Sequence, residues 1–149
     1  MNPENFTRTL CQNRKARHDY FILDTLEAGV VLLGSEVKSL MAHKASLDGS
    51  YATVENGEVW MVNSHVDEYE NKNTHTQSYS PTRRRKLLLK KDEIRKFAEK
   101  AGQKGHTLIP LSFYVNNGKI KVTLAVAKGK QLHDKRETLK KRDLDREMK

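Results

Sequence analysis

The feature that most constrains the fold of this chain is a strand pattern near its C-terminal end, and the abrupt loss of that pattern. Between Lys119 and Ala127 every second residue is a bulky aliphatic, from Ile120 to Val126. A period of two predicts a strand with one buried face. From Lys128 the alternation stops, and residues 128–149 hold nine Lys or Arg against five Asp or Glu. We therefore predict a folded body that ends near Ala127 and a basic C-terminal tail beyond it.

Further strand signals occur throughout the preceding sequence. Asn56-Gly57 and Asn117-Gly118 are typical hairpin turns. Pro110 lacks an N–H donor, so its strand should be an edge strand or carry a bulge there. Leu26–Gly29 is interpreted as a turn between two separate strands. The expected strands cover residues 19–25, 30–33, 51–55, 58–65, 107–115 and 119–127.

Two helices are expected between these strands. Ser35 is placed to cap the first, in which Val37, Leu40 and Met41 have the spacing of a core-facing stripe. The second begins at Asp92, where acidic residues favour a helix N-terminus, and ends at Gly102 or Gly105. The leucines at 87–89 are interpreted as core anchors for that second helix.

Strands that do not alternate regularly with helices argue against a doubly wound parallel sheet. The sequence instead predicts a mainly β fold: a small six-stranded antiparallel barrel of the oligonucleotide-binding (OB) type, with two or three flanking helices. Residues 1–12 are expected to be a flexible segment, 13–127 the barrel, and 128–149 a tail that is disordered when free.

The net charge of +9 and the pI near 9.7 point to a polyanionic partner, either nucleic acid or an anionic membrane surface. The tail lacks the apolar helical face that a membrane-surface role needs, so nucleic acid is favoured. No apolar run reaches membrane-spanning length, and the first dozen residues do not resemble a signal peptide. The cytoplasm is therefore the expected location. The single Cys11 permits no internal disulfide.

Basic clusters are the candidate binding sites. Residues 13–18 and 82–91 are dense in Arg and Lys, which contact phosphates, while Asn and His can reach sugars or base edges. For residues 13–18 a solvated charge run is an equally good interpretation. For residues 82–91 we expect a mixture, in which the leucines pack and the Arg and Lys side chains face outwards. The lysines at 119, 121, 128 and 130 form one positive surface only if the fold brings them together.

Catalytic and metal-binding signals are weak, so we expect no enzyme activity and no cofactor. The six His residues lack close metal-ligand spacing, and neither a nucleophile elbow nor a phosphate-binding glycine loop occurs. Glu27 and Glu36 lie near basic residues, where a salt bridge or a charge at a helix terminus is the simplest interpretation.

Five segments of the sequence form a recognisable set of motifs. They are Asn-Arg-Lys-Ala-Arg-His-Asp-Tyr-Phe-Ile (13–22), Glu-Ala-Gly (27–29), Leu-x-Gly-Ser-Glu-Val-Lys-Ser-Leu (32–40), Pro-Thr-Arg-x-Arg-Lys-Leu-Leu-Leu (81–89) and Val-Ala-Lys-Gly-Lys…His-Asp-Lys-Arg (126–136). In this order they resemble the SmpB family, the SsrA-binding proteins of bacteria. The resemblance implies an OB-like barrel that binds the tRNA-like domain of transfer-messenger RNA (tmRNA). It also implies entry into stalled ribosomes for trans-translation, with elongation factor Tu acting indirectly through the charged tmRNA.

The resemblance also implies roles for individual residues. Asn13, Glu27, Leu88 and Lys121 match positions that the family uses for tmRNA binding. His133, Asp134, Lys135 and Arg136 match the family's decoding-site segment. The resemblance implies that the tail occupies the empty decoding site of the 16S rRNA and the mRNA channel, and we expect it to become helical on the ribosome. The full set of expected tmRNA-binding residues is Asn13, Arg14, Lys15, Arg17, His18, Glu27, Lys38, Arg83, Arg85, Lys86, Leu88, Lys119, Lys121, Lys128 and Lys130.

Two rival classes remain: a general single-strand-binding barrel and a small RNA-processing enzyme. The first needs aromatic stacking platforms, whereas Trp60 and the four Phe occupy positions suited mostly to the core. The second lacks a convergent acid and base set.

Overall fold

The structure is a computed structural model that describes residues 7–69 and 79–130. Within those residues the chain forms nine strands and three helices. In chain order they are β1 (Thr7–Gln12), α1 (Arg14–Asp19), β2 (Tyr20–Val30), α2 (Gly34–Met41), β3 (Ala45–Ser46), β4 (Tyr51–Glu55), β5 (Glu58–Val62), β6 (His65–Val66), β7 (Arg85–Leu88), α3 (Lys91–Ala101), β8 (His106–Asn116) and β9 (Lys119–Gly129).

Six strands close into an antiparallel barrel in the order β8-β4-β5-β7-β2-β9, because β9 pairs again with β8. β1 adds to the C-terminal half of β8, where Gln12 faces Ser112. β4 meets β8 nearer the start of that strand, where Ala52 faces Leu108. The short β3 and β6 pair with each other in a separate two-stranded sheet. The predicted fold class, a six-stranded OB-like barrel with flanking helices, is confirmed.

Two apolar clusters lie on opposite faces of the long strands. The main core fills the barrel with inward-facing side chains such as Met61, Leu87 and Phe113. The second cluster lies on the outward side, where Ala16 of α1 covers Ile109, Leu111, Ala125 and Ala127. The long strands β8 and β9 are therefore covered on both faces near α1.

Both predicted hairpins are present. Asn56 and Gly57 join β4 to β5 with φ angles of 52° and 74°, and Asn117 and Gly118 join β8 to β9 with 52° and 77°. Positive φ at both central residues matches the type I′ turn, whose twist suits a hairpin. The irregularity expected at Pro110 is also confirmed, because the register of β8 against β9 shifts between Pro110 and Ser112.

The separation of residues 19–25 and 30–33 into two strands is wrong. Tyr20–Val30 is one 11-residue strand, paired with β9 from Tyr20 opposite Gly129 to Gly29 opposite Lys121. Small residues at 28 and 29 suggested a turn, but they serve close packing instead. A Cβ built at Gly29 would lie 3.2 Å from Cβ of Leu88 on the neighbouring β7.

Residues 7–12 are more ordered than expected, and the basic cluster after them is helical. Thr7–Gln12, assigned to a flexible segment, form β1, which buries Leu10. The basic cluster that follows forms α1 rather than an irregular segment before a strand. Residues 1–6 lie outside the described part of the chain.

The predicted core stripe of α2 is wrong at two of its three positions. Leu40 is fully buried, but Val37 and Met41 are exposed, and the inward face carries Glu36 and Ser39 instead. The predicted Ser35 cap is also wrong, since the helix begins at Gly34. The backbone N–H of Leu33, just before the helix, donates to the carboxylate of Glu36. A buried ion pair, described below, turns this polar face inwards.

The remaining differences concern β5, β7 and the end of the barrel. β5 ends at Val62, before the predicted residue 65. The core role predicted for the leucines of β7 is right for Leu87, which is buried, and wrong for Leu88, which points outwards. The second predicted helix is confirmed as α3, and its Phe97 enters the core. β9 continues to Gly129, two residues past the predicted end, and residues 131–149 lie outside the described residues.

Candidate nucleic-acid interface

A row of residues crosses four strands on the outward side of the barrel. Leu88 of β7 faces Gly29 of β2, Gly29 faces Lys121 of β9, and Lys121 faces Tyr114 of β8. Residues directly opposite each other in a sheet point to the same side, and adjacent strands lie about 4.8 Å apart, so this row spans roughly 14 Å. Glu27, two residues before Gly29, lies on the same side. We call Glu27, Gly29, Leu88, Tyr114 and Lys121 the open face.

The carboxylate of Glu27 is held by the neighbouring aromatic residue. The Tyr114 hydroxyl donates a hydrogen bond to Oε2 of Glu27 across β9. Burial and this bond to a carboxylate both raise the pKa of Tyr114 well above its usual range. The hydroxyl therefore remains a donor at every physiological pH, and Glu27 is fixed in one orientation.

The other two side chains present one apolar and one cationic group. Leu88 is 52% exposed, which is high for a leucine in a strand, and the glycine beside it leaves its side chain uncovered by a neighbour from β2. Among the described residues, no carboxylate forms an ion pair with Lys121. The open face thus offers a fixed acceptor, an apolar contact and a cation available for a partner.

Asn13 lies at the start of α1, and its side chain is entirely engaged inside the protein. Its Oδ1 accepts from the Ala16 N–H at 3.1 Å, which caps the helix. Its Nδ2 donates to the carbonyl oxygens of Leu47 at 3.1 Å and Pro110 at 3.0 Å. The side chain is buried, so direct RNA contact by Asn13 is inconsistent with the structure. It can act only by positioning α1, whose Arg14, Lys15, Arg17 and His18 are all exposed.

A buried ion network occupies two residues that were expected to contact RNA. Arg85 and Glu36 are both 0% exposed, and Arg85 donates to Oε2 of Glu36 through Nε at 2.9 Å and Nη2 at 2.6 Å. Arg83 bonds the same carboxylate from the surface side, with Nε 3.0 Å from Oε2. Tyr79 donates to it at 3.0 Å. Arg85 is therefore too buried to contact RNA directly. An RNA contact by Arg83 would compete with its bond to Glu36.

The charge state of Glu36 follows from this network. Burial alone would raise its pKa, but hydrogen bonds from Arg83, from the Leu33 backbone N–H and from Arg85 outweigh that effect and lower the pKa to about 2. Arg85 has its other donors satisfied by Ser64, Arg83 and Pro81. The network therefore joins α2 to β7 and to the segments around Ser64 and Pro81, which is a structural role.

The remaining predicted residues do not form one positive surface. Lys86 pairs with Glu58 at 3.3 Å, and Lys38 of α2 lies over the ring of Tyr69, 5.3 Å from its centroid. Side chains alternate along β9, so Lys119 and Lys121 lie on one side of the strand and Lys128 lies on the other. The strand rise places Lys128 about 23 Å from Lys121. Lys130 lies 5.1 Å over the ring of Phe21. Residues 133–136 lie outside the described residues.

Some surface features were missed by sequence reasoning. Gly29 and Tyr114 of the open face could have been found from strand alternation only with the correct register. The assignment of the aromatic residues to the core is wrong for Phe21, which is 43% exposed, and for Trp60, which lies on the outward side beneath Arg84. The sequence also did not reveal four exposed apolar side chains in the segment from the end of β2 through α2, namely Val31, Leu33, Val37 and Met41.

Other classes of site find little support in the described residues. No group of three or more His, Cys, Asp or Glu in residues 7–69 and 79–130 could hold a metal ion. The same part of the chain contains no helix of the length and hydropathy that a membrane crossing requires. Cys11 is half-buried, and burial raises the pKa of its thiol.

Comparison with known proteins gives the family of the chain. The SmpB protein family model matches residues 10–149. The SsrA-binding protein of Acetivibrio thermocellus is 54% identical over 141 residues, which cover 95% of this chain and 90% of that protein. The SsrA-binding protein of Desulforudis audaxviator is 53% identical, with 95% and 91% covered.

A solved structure shares the fold as well as the sequence. It is described as "tmRNA-SmpB: a journey to the center of the bacterial ribosome" and aligns with a TM-score of 0.67 at 48% identity, covering 80% of this chain and 82% of that one. The residues that match the family model include β2, β7, β8 and β9, the four strands that build the open face. The chain belongs to the SmpB family.

Proposed function

We propose that this protein is a non-enzymatic RNA-binding protein that recognises the tRNA-like domain of tmRNA and brings it to stalled ribosomes for trans-translation. The observation that carries the proposal is the open face. Glu27, Leu88 and Lys121 come from three distant parts of the sequence, and the SmpB resemblance associates all three with tmRNA binding. Through strand pairing they share one side of three neighbouring strands.

The chemistry of the open face suits a shaped RNA more than a generic polyanion. A groove that binds any single strand relies on many cations along the backbone. This side of the barrel instead combines two lysines that form no ion pair among the described residues, Lys119 and Lys121, with one fixed carboxylate and one apolar side chain. RNA is recognised largely through its shape and 2′-hydroxyl groups. A carboxylate acceptor such as Glu27 can bond a 2′-hydroxyl or a base N–H but repels phosphate, so it favours one docking geometry.

The exposed basic residues of α1 complement this face. Arg14, Lys15, Arg17 and His18 project from a helix that is anchored by Asn13 and packed on the same side of the sheet through Ala16. Their attraction for phosphate supplies affinity that is independent of sequence. The open face then supplies the selection among RNA shapes.

The C-terminal tail has a separate proposed role. His133, Asp134, Lys135 and Arg136 would occupy the vacant decoding site, with the rest of the tail in the mRNA channel, where it becomes helical. Elongation factor Tu would act indirectly, through the charged tmRNA. The cytoplasm is the proposed location. Tail and barrel thus divide the function, because the barrel holds the RNA and the tail engages the ribosome.

A salt titration tests the RNA specificity. Binding of the full chain to the tRNA-like domain of tmRNA is compared with binding to an ordinary tRNA and to a plain RNA hairpin, from about 50 to about 300 mM salt. We expect a preference for the tmRNA fragment that persists at physiological salt. Affinities that are equal and fall together with salt would mean that counterion release explains all binding. The general single-strand class, which the exposed Phe21 and the outward Trp60 favour, would then replace this proposal.

The tail is tested by replacing Asp134, Lys135 and Arg136 together with Ala. We expect near-normal affinity for the tmRNA fragment and loss of ribosome rescue in a reconstituted translation assay. The matched control replaces the residues at 141–143, a Lys, an Arg and an Asp, with Ala. It removes the same two cations and one acid from a later part of the tail, so its rescue activity should stay well above that of the first variant. An equal loss of affinity and rescue in the first variant would contradict the division between barrel and tail.

A further inference from the structure

A cleft of about 370 Å³ lies beside α1, outside the open face. Its volume is within the range of small-ligand sites, which run from roughly 300 to 1,000 Å³. One wall comes from α1, and the other from the turn that leads into β4. The lining side chains that matter here are Lys15, Ala16, Asp19, Tyr20, Tyr51 and Ile109.

The floor and walls of the cleft have different chemistry. Ala16 and Ile109 are buried members of the second apolar cluster and form an apolar base. Tyr20 begins β2 and Tyr51 begins β4, so two aromatic side chains reach the cleft from different strands. Tyr51 is 40% exposed, which leaves much of its ring accessible to a ligand. An apolar floor with aromatic walls suits a flat, partly polar ring.

Several polar groups at the rim are not used within the described part of the protein. Among the described residues, no hydrogen bond engages the hydroxyls of Tyr20 and Tyr51, and no carboxylate forms an ion pair with Lys15. Asp19 engages His18 through Oδ1 at 3.0 Å, which leaves Oδ2 available as an acceptor. The cleft therefore combines donors, an acceptor and a cation around one apolar base.

We propose that this cleft binds one unpaired nucleotide of the RNA, with its base on the ring of Tyr51 and its phosphate near Lys15. This inference rests on the proposed RNA-binding function and extends it to a second contact. Unpaired bases in RNA are recognised by stacking on aromatic side chains and by hydrogen bonds to their polar edges. The charges agree, because the base edge can donate to Asp19 while the backbone meets the cations of α1.

The position of the cleft permits simultaneous use of the open face. Tyr20 and Glu27 lie on the same strand, opposite residues of β9 that are six positions and about 20 Å apart. The register shift between Ile22 and Asp24 adds one residue, so that Tyr20 and Glu27 point to the same side. A single structured RNA of tRNA size can therefore reach both.

The test compares variants of Tyr51 in the full chain, using the tRNA-like RNA and a hairpin with an unpaired loop. Tyr51→Ala removes the stacking ring, Tyr51→Phe keeps it, and Leu23→Ala is the control because Leu23 is exposed outside the cleft. Thermal melting followed by circular dichroism establishes that each variant is folded. Affinity is measured across salt concentrations, and chemical probing reports which RNA bases are protected.

We expect Tyr51→Ala to weaken binding by about 5-fold or more, which is the lower end of what one stacked base contributes. The dependence of affinity on salt should not change, because no phosphate contact is lost. Tyr51→Phe and Leu23→Ala should remain within about 2-fold of the wild type, since both keep the stacking ring. One base that the wild-type protein protects should become reactive with Tyr51→Ala.

The outcomes separate this inference from the function on which it rests. If the wild type prefers the tRNA-like RNA and Tyr51→Ala binds it equally well, the cleft inference alone is wrong. If Tyr51→Phe loses as much affinity as Tyr51→Ala, stacking is overturned. If the wild type shows no preference for the tRNA-like RNA while Tyr51→Ala still weakens hairpin binding, the cleft stands and the proposed function fails.

Discussion

Replacing Glu36 with Gln should destabilise the fold more than any other charge-removing change at a carboxylate in the described residues. Glu36 and Arg85 are both fully buried, and the substitution leaves the Arg85 guanidinium without its counter-charge. Removing one partner of a buried pair costs about 3–5 kcal/mol, because the remaining charge is uncompensated. Arg83, which is 29% exposed, can turn to solvent and should add little.

The acid dependence of stability gives a second measure of the same pair. The pKa of Glu36 falls from 4.5 to about 2 on folding. A lowered folded pKa means that the ionised group stabilises the fold above pH 4.5, and that this contribution is lost as the pH falls towards 2. A pKa difference of about 2.5 corresponds to roughly 3 kcal/mol. The free energy of unfolding of Glu36→Gln should therefore not show this decrease between pH 4.5 and about 2.

Urea unfolding from about pH 2 to about pH 7, followed by circular dichroism, measures both effects. Glu58→Gln is the matched control, since Glu58 pairs with Lys86 at the surface and such pairs contribute under about 1 kcal/mol. A second variant, Glu36→Gln with Arg85→Met, should recover part of the loss, because no charge then stays buried. A loss below about 1 kcal/mol for Glu36→Gln, with an unchanged pH profile, would refute this reasoning.

Three further substitutions test the interface. Asn13→Ala should lower the free energy of unfolding by about 1 kcal/mol through loss of the helix cap, and by more because two carbonyl groups are left unpaired. RNA affinity should fall only to the extent that α1 moves. A loss of affinity with an unchanged melting temperature would contradict the positioning role. Gly29→Ala should displace Leu88 and weaken RNA binding, while the free energy of unfolding changes by less than about 2 kcal/mol. Nuclear magnetic resonance detects the displacement of Leu88, and an unfolding measurement detects the change in stability. Tyr114→Phe should release the Glu27 carboxylate, so the preference among RNAs should drop while the free energy of unfolding changes by about 1 kcal/mol. An unchanged preference in the salt titration would show that Glu27 needs no fixed orientation.

Local signals in the sequence were sufficient for several elements. The Asn-Gly turns at 56–57 and 117–118 need only neighbouring residues to adopt positive φ, and both are present. The acidic start of α3 and the irregularity after Pro110 are equally local. Because turn chemistry and strand alternation each depend on a few adjacent residues, the fold class could be predicted.

The errors share a long-range cause. In the sequence Arg85 is one more residue of a basic run, yet it is buried because Glu36, 49 positions away, neutralises it. The same pairing turns α2 so that Val37 and Met41 face outwards. Gly29 has the local character of a turn residue, but its role is set by Leu88 on another strand. Local patterns could not reveal these partners. The family resemblance supplied Glu27, Leu88 and Lys121 of the open face, but not Gly29 or Tyr114.

The pairing of β2 with β9 also has a consequence for how the chain reaches its native state. Tyr20 lies opposite Gly129, so two of the longest strands join residues from nearly opposite ends of the described chain. Closing so large a loop is entropically costly and places the protein among slow-folding β topologies. Until β9 is synthesised, β2 and β8 each keep an unpaired edge that can recruit another chain. Copies that end before β9 should therefore aggregate rather than accumulate as partly active protein.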